Sequence, residues 1–432
     1  MNDKPDEVIN GKAFHPSYKW QLLALLFFTF FLHQGDRAIF GVVLSSIKTD
    51  LQLTDAQLGL VGSALFFTLA LLVPVAGYLG DIWSRKWIIT ISLMFWSGAT
   101  MVTGAAKGLV SLILFRSIAT AGGESFYAPS AYSLIAVFHK KTRAFALAIH
   151  QSSLYIGVIT SGFLGGYIAE MWGWRSAFYV FGFAGIVLGV VLMMRLKDVP
   201  RDNSDGRGRV GLKEAFGVVL RTRTAWLLTT GFVAIVFVNN AYIVWAPNFV
   251  QQKFNLSLTV AGGYSMLYHH IAAMVGVLIG GKLSDAMVPS RRQFRLQLQT
   301  LSMLLGAPMI FLMGQSSTLV ATWVTMAAMG FFRGLYEANT HASLFDVIEP
   351  RYRASAVGVM TTIGFLAGSV SPLLMGYCRK VFGEAQGLSY GFSALSIAYV
   401  LGGIAMLVAL KFTFQRDYYS EAPAHQAGDS KP

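Results

Sequence analysis

Long apolar runs separated by short polar loops fill this chain, and each run reaches or approaches the ~20 residues a helix needs to cross a hydrocarbon core. The pattern predicts about twelve membrane-spanning helices. They fall near residues 20–47, 57–79, 87–105, 109–137, 144–169, 176–196, 223–250, 259–281, 296–314, 318–347, 354–377 and 389–411. One sizeable polar interruption lies between Lys197 and Arg223, where Pro200 through Arg209 precedes a short amphipathic stretch. The predicted fold is therefore all-α, with a six-helix bundle over 1–196, a linker over 197–222, a second six-helix bundle over 223–413 and a polar tail over 414–432. The first run is too long for a removable signal peptide and lacks a small-residue cleavage site, so it is expected to remain as the first helix.

The two bundles repeat each other. Gly77-Tyr-Leu-Gly-Asp81 leads to Arg85 and Lys86 after the second run, and Gly281-Lys-Leu-Ser-Asp285 leads to Arg291 and Arg292 after the eighth, 204 residues later. Likewise, the segment from Phe138 to Arg143 is echoed from Ile348 to Arg353, 210 residues on. A duplicated membrane protein with parallel repeats has the organisation of a secondary transporter.

Composition excludes several alternatives. With 54% hydrophobic and 13% charged residues the chain is an integral membrane protein. Its net charge of +13 sits on alternate loops, as orienting charge does, and so does not point to nucleic acid. Most of the lysines and arginines share a side with both termini, whereas the opposite loops carry Lys48, Lys107, Arg175, Lys253, Arg379 and Lys380. This asymmetry predicts cytoplasmic termini in a multi-pass cell-membrane protein. The single cysteine, Cys378, excludes an intrachain disulfide and a multi-cysteine metal site. No nucleophile, metal or cofactor motif of an enzyme stands out, so a monomeric carrier is expected, with a small-molecule substrate and protons as partners in the lipid bilayer.

Charges within the apolar runs carry the chemistry, since each costs ~2.5–3.5 kcal/mol even on the lenient insertion scale. Asp36 and Arg37 interrupt the first run, Arg116 and Glu124 the fourth, and Arg333 and Glu337 the tenth. Adjacent residues on a helix point about 100° apart, so Asp36 and Arg37 require partners on other helices. Glu124 and Asp36 are candidate proton carriers, because burial and a nearby arginine pull a carboxylate in opposite directions. A fixed ion pair is the plain alternative for each. Arg333 and Glu337 are spaced to pair along their own helix. Three arginines against three protonatable carboxylates leave a positive cavity when loaded, which favours an anionic substrate. Further candidates for binding are Tyr155, Asn239, Asn240, Tyr242 and His269, with His150, Gln151, Trp245, Tyr268 and His270 nearby in sequence. Glycines in the fifth and eleventh runs suit helices that pack closely across the centre.

The paired loop signatures at Gly77–Lys86 and Gly281–Arg292 resemble motif A of the major facilitator superfamily. Asp36-Arg37, the stretch from Ile47 to Gly59, Gly123-Glu124 and Gly173-Trp-Arg-Ser-Ala-Phe178 are similar to the anion:cation symporter and bacterial Spinster-like families. The first resemblance implies that Asp36 and Glu124 couple protons, that Arg37 serves the coupling site or the substrate anion, and that a sugar acid or similar organic anion is carried. The second implies a lysolipid or other amphiphile, and the charged tenth run favours the first. Resemblance to motif A also implies gating roles for Gly77, Asp81, Arg85, Lys86 and Asp285. Two departures stand out. Ile82 replaces the usual arginine of motif A, and Arg116 lies eight residues before Glu124 where the resemblance implies seven, so Arg116 departs from the family's place relative to Glu124.

Overall fold

The computed structural model describes residues 7–9, 12–198, 212–384 and 386–419. Among these, twelve long helices follow the predicted runs. The first bundle contains α1 (Tyr18–Val42), α2 (Asp55–Ile82), α3 (Arg85–Thr103), α4 (Leu109–Phe138), α5 (Arg143–Trp172) and α6 (Trp174–Arg195). The second contains α7 (Arg223–Phe254), α8 (Leu258–Met287), α9 (Phe294–Gln315), α10 (Leu319–Phe345), α11 (Pro350–Phe382) and α12 (Gly387–Asp417). Eleven of the described helices are long and apolar enough to cross a membrane. The other, α3, has 19 residues and buries Ser92, Ser97, Thr100 and Thr103, which lower its hydropathy.

Two details depart from the sequence reading. A short antiparallel ladder, β1 (Glu7–Ile9) with β2 (Lys12–Phe14), precedes α1, and Phe14 packs edge-on against Phe138 with ring centroids 5.0 Å apart. The first predicted run also breaks at Val43, beyond which Leu44–Leu51 forms a separate short helix.

The repeat is visible in the backbone. Gln52 and Asn255 are the two non-glycine residues with positive φ among those described, at 51° and 50°; Gln52 closes the short helix after α1, and Asn255 closes α7. Two residues on, Thr54 and Ser257 cap α2 and α8 with their side chains. Gly173 and Gly383, each at φ 83°, close α5 and α11; a left-handed turn of this kind favours glycine.

Within the bundles α1 packs on α5, α3 on α6, α8 on α10 and α9 on α12, and the halves meet along α5–α8 and α2–α11. Close approach between halves is concentrated on the face opposite the termini. A side chain at Gly41 would collide with the Ile243 carbonyl, one at Gly59 with Pro372, one at Gly162 with Gly262, and one at Gly376 with Asp55. Nearer the terminal face, a methyl at Gly281 or Gly358 meets open space. The molecule is thus sealed on one side.

A buried charge network reinforces the seal. Arg379, placed among loop charges by the sequence pattern, is instead inside α11 with its side chain 1% exposed. It donates Nη1 to Asn248 Oδ1 at 2.8 Å and lies 3.1 Å from Asp55 Oδ1 of the other half. Lys48 bridges Asp55 Oδ2, at 3.0 Å, and Glu384, and its hydrogen bond, with its charge, holds the Glu384 carboxyl below its ordinary value. Glu170 of α5 accepts from both the backbone N–H (3.1 Å) and the hydroxyl (2.5 Å) of Thr259 in the first turn of α8. Gly59→Leu is expected to wedge this face apart, because its side chain has no room against the Pro372 backbone. In a background lacking Cys378, a cysteine at Val244, buried in the seam, should then react at least about tenfold faster with a water-soluble maleimide, a shift of ~1.4 kcal/mol. Unchanged reactivity would show that contact at Gly59 does not seal the face.

Candidate functional site

The first charged centre is built where α1 turns adjacent residues towards different neighbours. Asp36 is buried, accepts from Thr100 Oγ1 of α3 at 2.6 Å and stands 3.9 Å from Arg116 Nη1 of α4. Arg37 donates Nε to Glu124 Oε2 at 2.6 Å. Arg116 Nη2 donates to the main-chain carbonyls of Asp36 (2.9 Å) and Arg37 (3.2 Å), tying α4 to α1. His33 Nε2 donates to the Glu124 carbonyl at 3.3 Å, while its Nδ1 accepts from Gln34 at 3.0 Å, which fixes a neutral ring. Two carboxylates and two guanidiniums therefore share one compact site, and protonating either acid leaves it with net positive charge.

The eight-residue spacing between Arg116 and Glu124 does not put them out of register. Residues Ile113–Ala119 form π-helical turns, with the Thr120 hydroxyl donating back to the Phe115 carbonyl at 2.8 Å. Such a bulge accommodates one extra residue in an otherwise α-helical path. Both side chains consequently face α1.

The second centre lies on α10. Arg333 donates Nε and Nη2 to Glu337 Oε1, at 2.9 and 2.7 Å, and Nη1 to His269 Nε2 of α8 at 3.1 Å. A guanidinium only donates, so His269 accepts and carries its proton on Nδ1. Gly330 and Gly334 permit this contact, since a side chain at either would strike the α8 backbone at His269 or Ala273. The Tyr242 ring stacks on His269 at 4.2 Å, and its hydroxyl donates to the Ser265 carbonyl at 2.6 Å. His270 donates Nδ1 to the Met266 carbonyl, and Tyr155 reaches it from the other half with ring centroids 6.4 Å apart. Asn239 Oδ1, Asn240 Nδ2 and Tyr399 Oη are buried without a hydrogen-bond partner among the described residues.

Other sequence candidates fall elsewhere. His150 stacks on Phe30 at 4.7 Å and bonds the Tyr127 hydroxyl inside the first bundle, and Gln151 accepts from Tyr132 on the exposed side. Tyr268 packs against Trp323, and Trp245 donates to the Pro372 carbonyl at 2.9 Å. The backbone of Gly77 and Asp81 belongs to the last turns of α2, but their side-chain placement lies outside the described residues. Lys86 lies 5.3 Å over Trp87, Arg85 opens α3, and Asp285 is exposed. The stretch from Ile47 to Gly59 and Gly173–Phe178 instead build the opposite face. Trp174 and Arg175 both donate to Asp50, and the bond from Arg175 holds that carboxyl below its ordinary value.

Residues 26–372, spanning both centres and most of both bundles, match the family model of the Major Facilitator Superfamily. The chain belongs to this superfamily. It is accordingly a multi-pass membrane transporter of a small-molecule substrate, and not an enzyme. This superfamily member is 24% identical over 427 residues to the probable galactarate/D-glucarate transporter of Bacillus subtilis, covering 91% of this chain and 93% of the relative. It is 25% identical to the D-galactonate transporter of Escherichia coli, over 91% and 96% of the two chains. It is 26% identical to protein spinster of Drosophila melanogaster, over 83% of this chain but 61% of that protein. Its fold matches the crystal structure of a bacterial homologue of the human lysosomal transporter Spinster in an inward-facing, unoccupied conformation, with a TM-score of 0.81, 23% identity, and coverage of 94% and 99%.

Reasoning from sequence missed His33, Thr100 and the Arg379 network. Thr100 gives no signal in an apolar run, because buried threonines usually bond their own helix. Arg379 was legible only as a charge near the end of a run.

Proposed function

We propose that this transporter moves a small organic anion, a sugar acid or a close analogue, together with protons by alternating access. One observation carries the reading. Arg37 is bound to buried Glu124 through Nε, while its terminal nitrogens have no hydrogen-bond partner among the described residues and its side chain is 14% exposed. It borders a narrow pocket with Arg116 and, from the second half, Val244. A guanidinium with an open fork suits a carboxylate, which it grips through two parallel bonds. When Glu124 is ionised it neutralises Arg37; when Glu124 takes a proton, that charge becomes available to the substrate. Proton and anion then bind as a pair, with Asp36 the second candidate carrier. Tyr155, Asn239, Asn240, Tyr242, His269, Arg333 and Glu337 complete the substrate region in this reading, with Tyr242 contributing its ring.

The halves 1–196 and 223–413 rock about this centre. Motif-A residues Gly77, Asp81, Arg85, Lys86 and Asp285 assemble the gate on the terminal face when the opposite face opens. Loop charge supports cytoplasmic termini in the cell membrane and basic-linker contact with lipid headgroups. The protein acts as a monomer in this scheme.

Purified protein in liposomes is expected to accumulate a sugar acid when an inward proton gradient is imposed, and a protonophore should abolish that accumulation. Transport of a lysolipid with no response to any sugar acid would overturn the reading.

A further inference from the structure

We infer that the transported anion carries two acidic groups, one received by Arg37 in the first half and the other by Arg333 in the second. This rests on the organic-anion reading and adds what the second arginine is for. Allowing for the repeat of about 210 residues, α10 corresponds to α4, so Arg333 occupies almost the place in its half that Glu124 holds in the other. Each half thus brings one arginine–glutamate pair to the middle of its helices. A monoacid needs one such receptor.

The construction of the second centre distinguishes it from a plain helix-stabilising pair. Arg333 is 8% exposed, but Glu337 is 28% exposed, so the carboxylate lies at the accessible edge while the guanidinium is held deeper. Neutral His269 fixes that guanidinium through Nη1 without contributing an anion that would compete for it. Stacking on Tyr242 fixes His269 in turn. An incoming carboxylate can therefore exchange with Glu337 at a positioned arginine. Asn239 Oδ1, Asn240 Nδ2 and Tyr399 Oη, all buried and unpartnered, supply hydroxyl-binding groups for the body of the molecule. Leaving such atoms unsatisfied destabilises the empty site, a cost a polyhydroxylated substrate removes.

The test compares a six-carbon sugar diacid with the matching monoacid, whose second end is a primary alcohol. Binding to the full-length protein is measured by calorimetry for the native chain, for Arg333→Gln, for Arg333→Gln/Glu337→Gln, which removes both charges together, and for His269→Asn. The native protein should bind the diacid at least about tenfold more tightly than the monoacid. Both Arg333 variants should bring that ratio to near one by weakening the diacid at least about tenfold more than the monoacid, and His269→Asn should lower the ratio by a smaller factor. Equal affinity for the two acids in the native protein would overturn the proposal and leave the organic-anion reading standing. So would an equal loss for both acids in the double variant. If the native protein binds neither acid but binds a lysolipid, both the proposal and the reading it rests on fail.

Discussion

Glu124→Gln is expected to abolish proton-driven accumulation of substrate, by at least about a hundredfold, while exchange of labelled for unlabelled substrate continues. Glutamine keeps the size of the protonated acid and its ability to accept a bond from Arg37 Nε, but it cannot shed a proton. The site is then held in its loaded charge state. Substrate binding and rocking of the halves remain possible, whereas the step that links them to the gradient is lost. A structural ion pair predicts something different. Removing one partner of a buried pair costs ~3–5 kcal/mol and leaves Arg37 uncompensated, so folding, binding and exchange should fall together. The assay is uptake in liposomes with and without a pH gradient, with exchange measured on the same preparation. Gradient-driven uptake at the native level by Glu124→Gln would transfer the coupling role to Asp36, the other acid of the cluster.

Arg37→Lys is expected to weaken anion binding by about tenfold or more, with the protein still inserted and folded. Lysine retains the charge opposite Glu124, so the buried carboxylate is not orphaned, but it lacks the planar fork that grips a carboxylate at two points. A charge-only role for Arg37 would leave affinity nearly unchanged. Pairing Arg37→Gln with Glu124→Gln removes both charges without leaving either exposed to an apolar interior, and it should abolish anion binding while thermal unfolding stays close to native. Native affinity in that double variant would show that the anion is received elsewhere, and the open fork of Arg37 would then have no role in recognition.

The helices were legible because a bilayer enforces a simple rule. Backbone polar groups have no water to turn to, so a run of about 20 apolar residues must be helical, and the positions of α1 to α12 follow from run length alone. The duplication was legible for a related reason: Asp81 and Asp285, or Arg143 and Arg353, stand at helix ends where charge is tolerated and so survives as a visible pattern. The cost of burying charge likewise marked Asp36, Arg37, Arg116, Glu124, Arg333 and Glu337 as residues needing partners.

Which partners they found was decided by tertiary structure. Helical spacing gave the Arg333–Glu337 pair directly, but nothing in the order of residues assigns Arg37 to Glu124, Asp36 to Thr100 or Arg333 to His269, because those contacts depend on how separate helices are rotated and how deep they lie. The π-helical turns at Ile113–Ala119 show the limit sharply. Counting residues on a regular helix puts Arg116 out of register, and a local change in hydrogen bonding, stabilised by the bonds Arg116 makes to α1, brings it back. Arg379 shows it again: its position near the end of a run reads as a loop charge, yet packing of α11 against α2 and α7 buries it between Asp55 and Asn248. The sequence by itself determined the helices, their repeat and the charges that must be satisfied, since solvent and local geometry dictate these one segment at a time. The tertiary structure decided the pairing of those charges and which face is sealed, since both depend on the simultaneous packing of twelve helices.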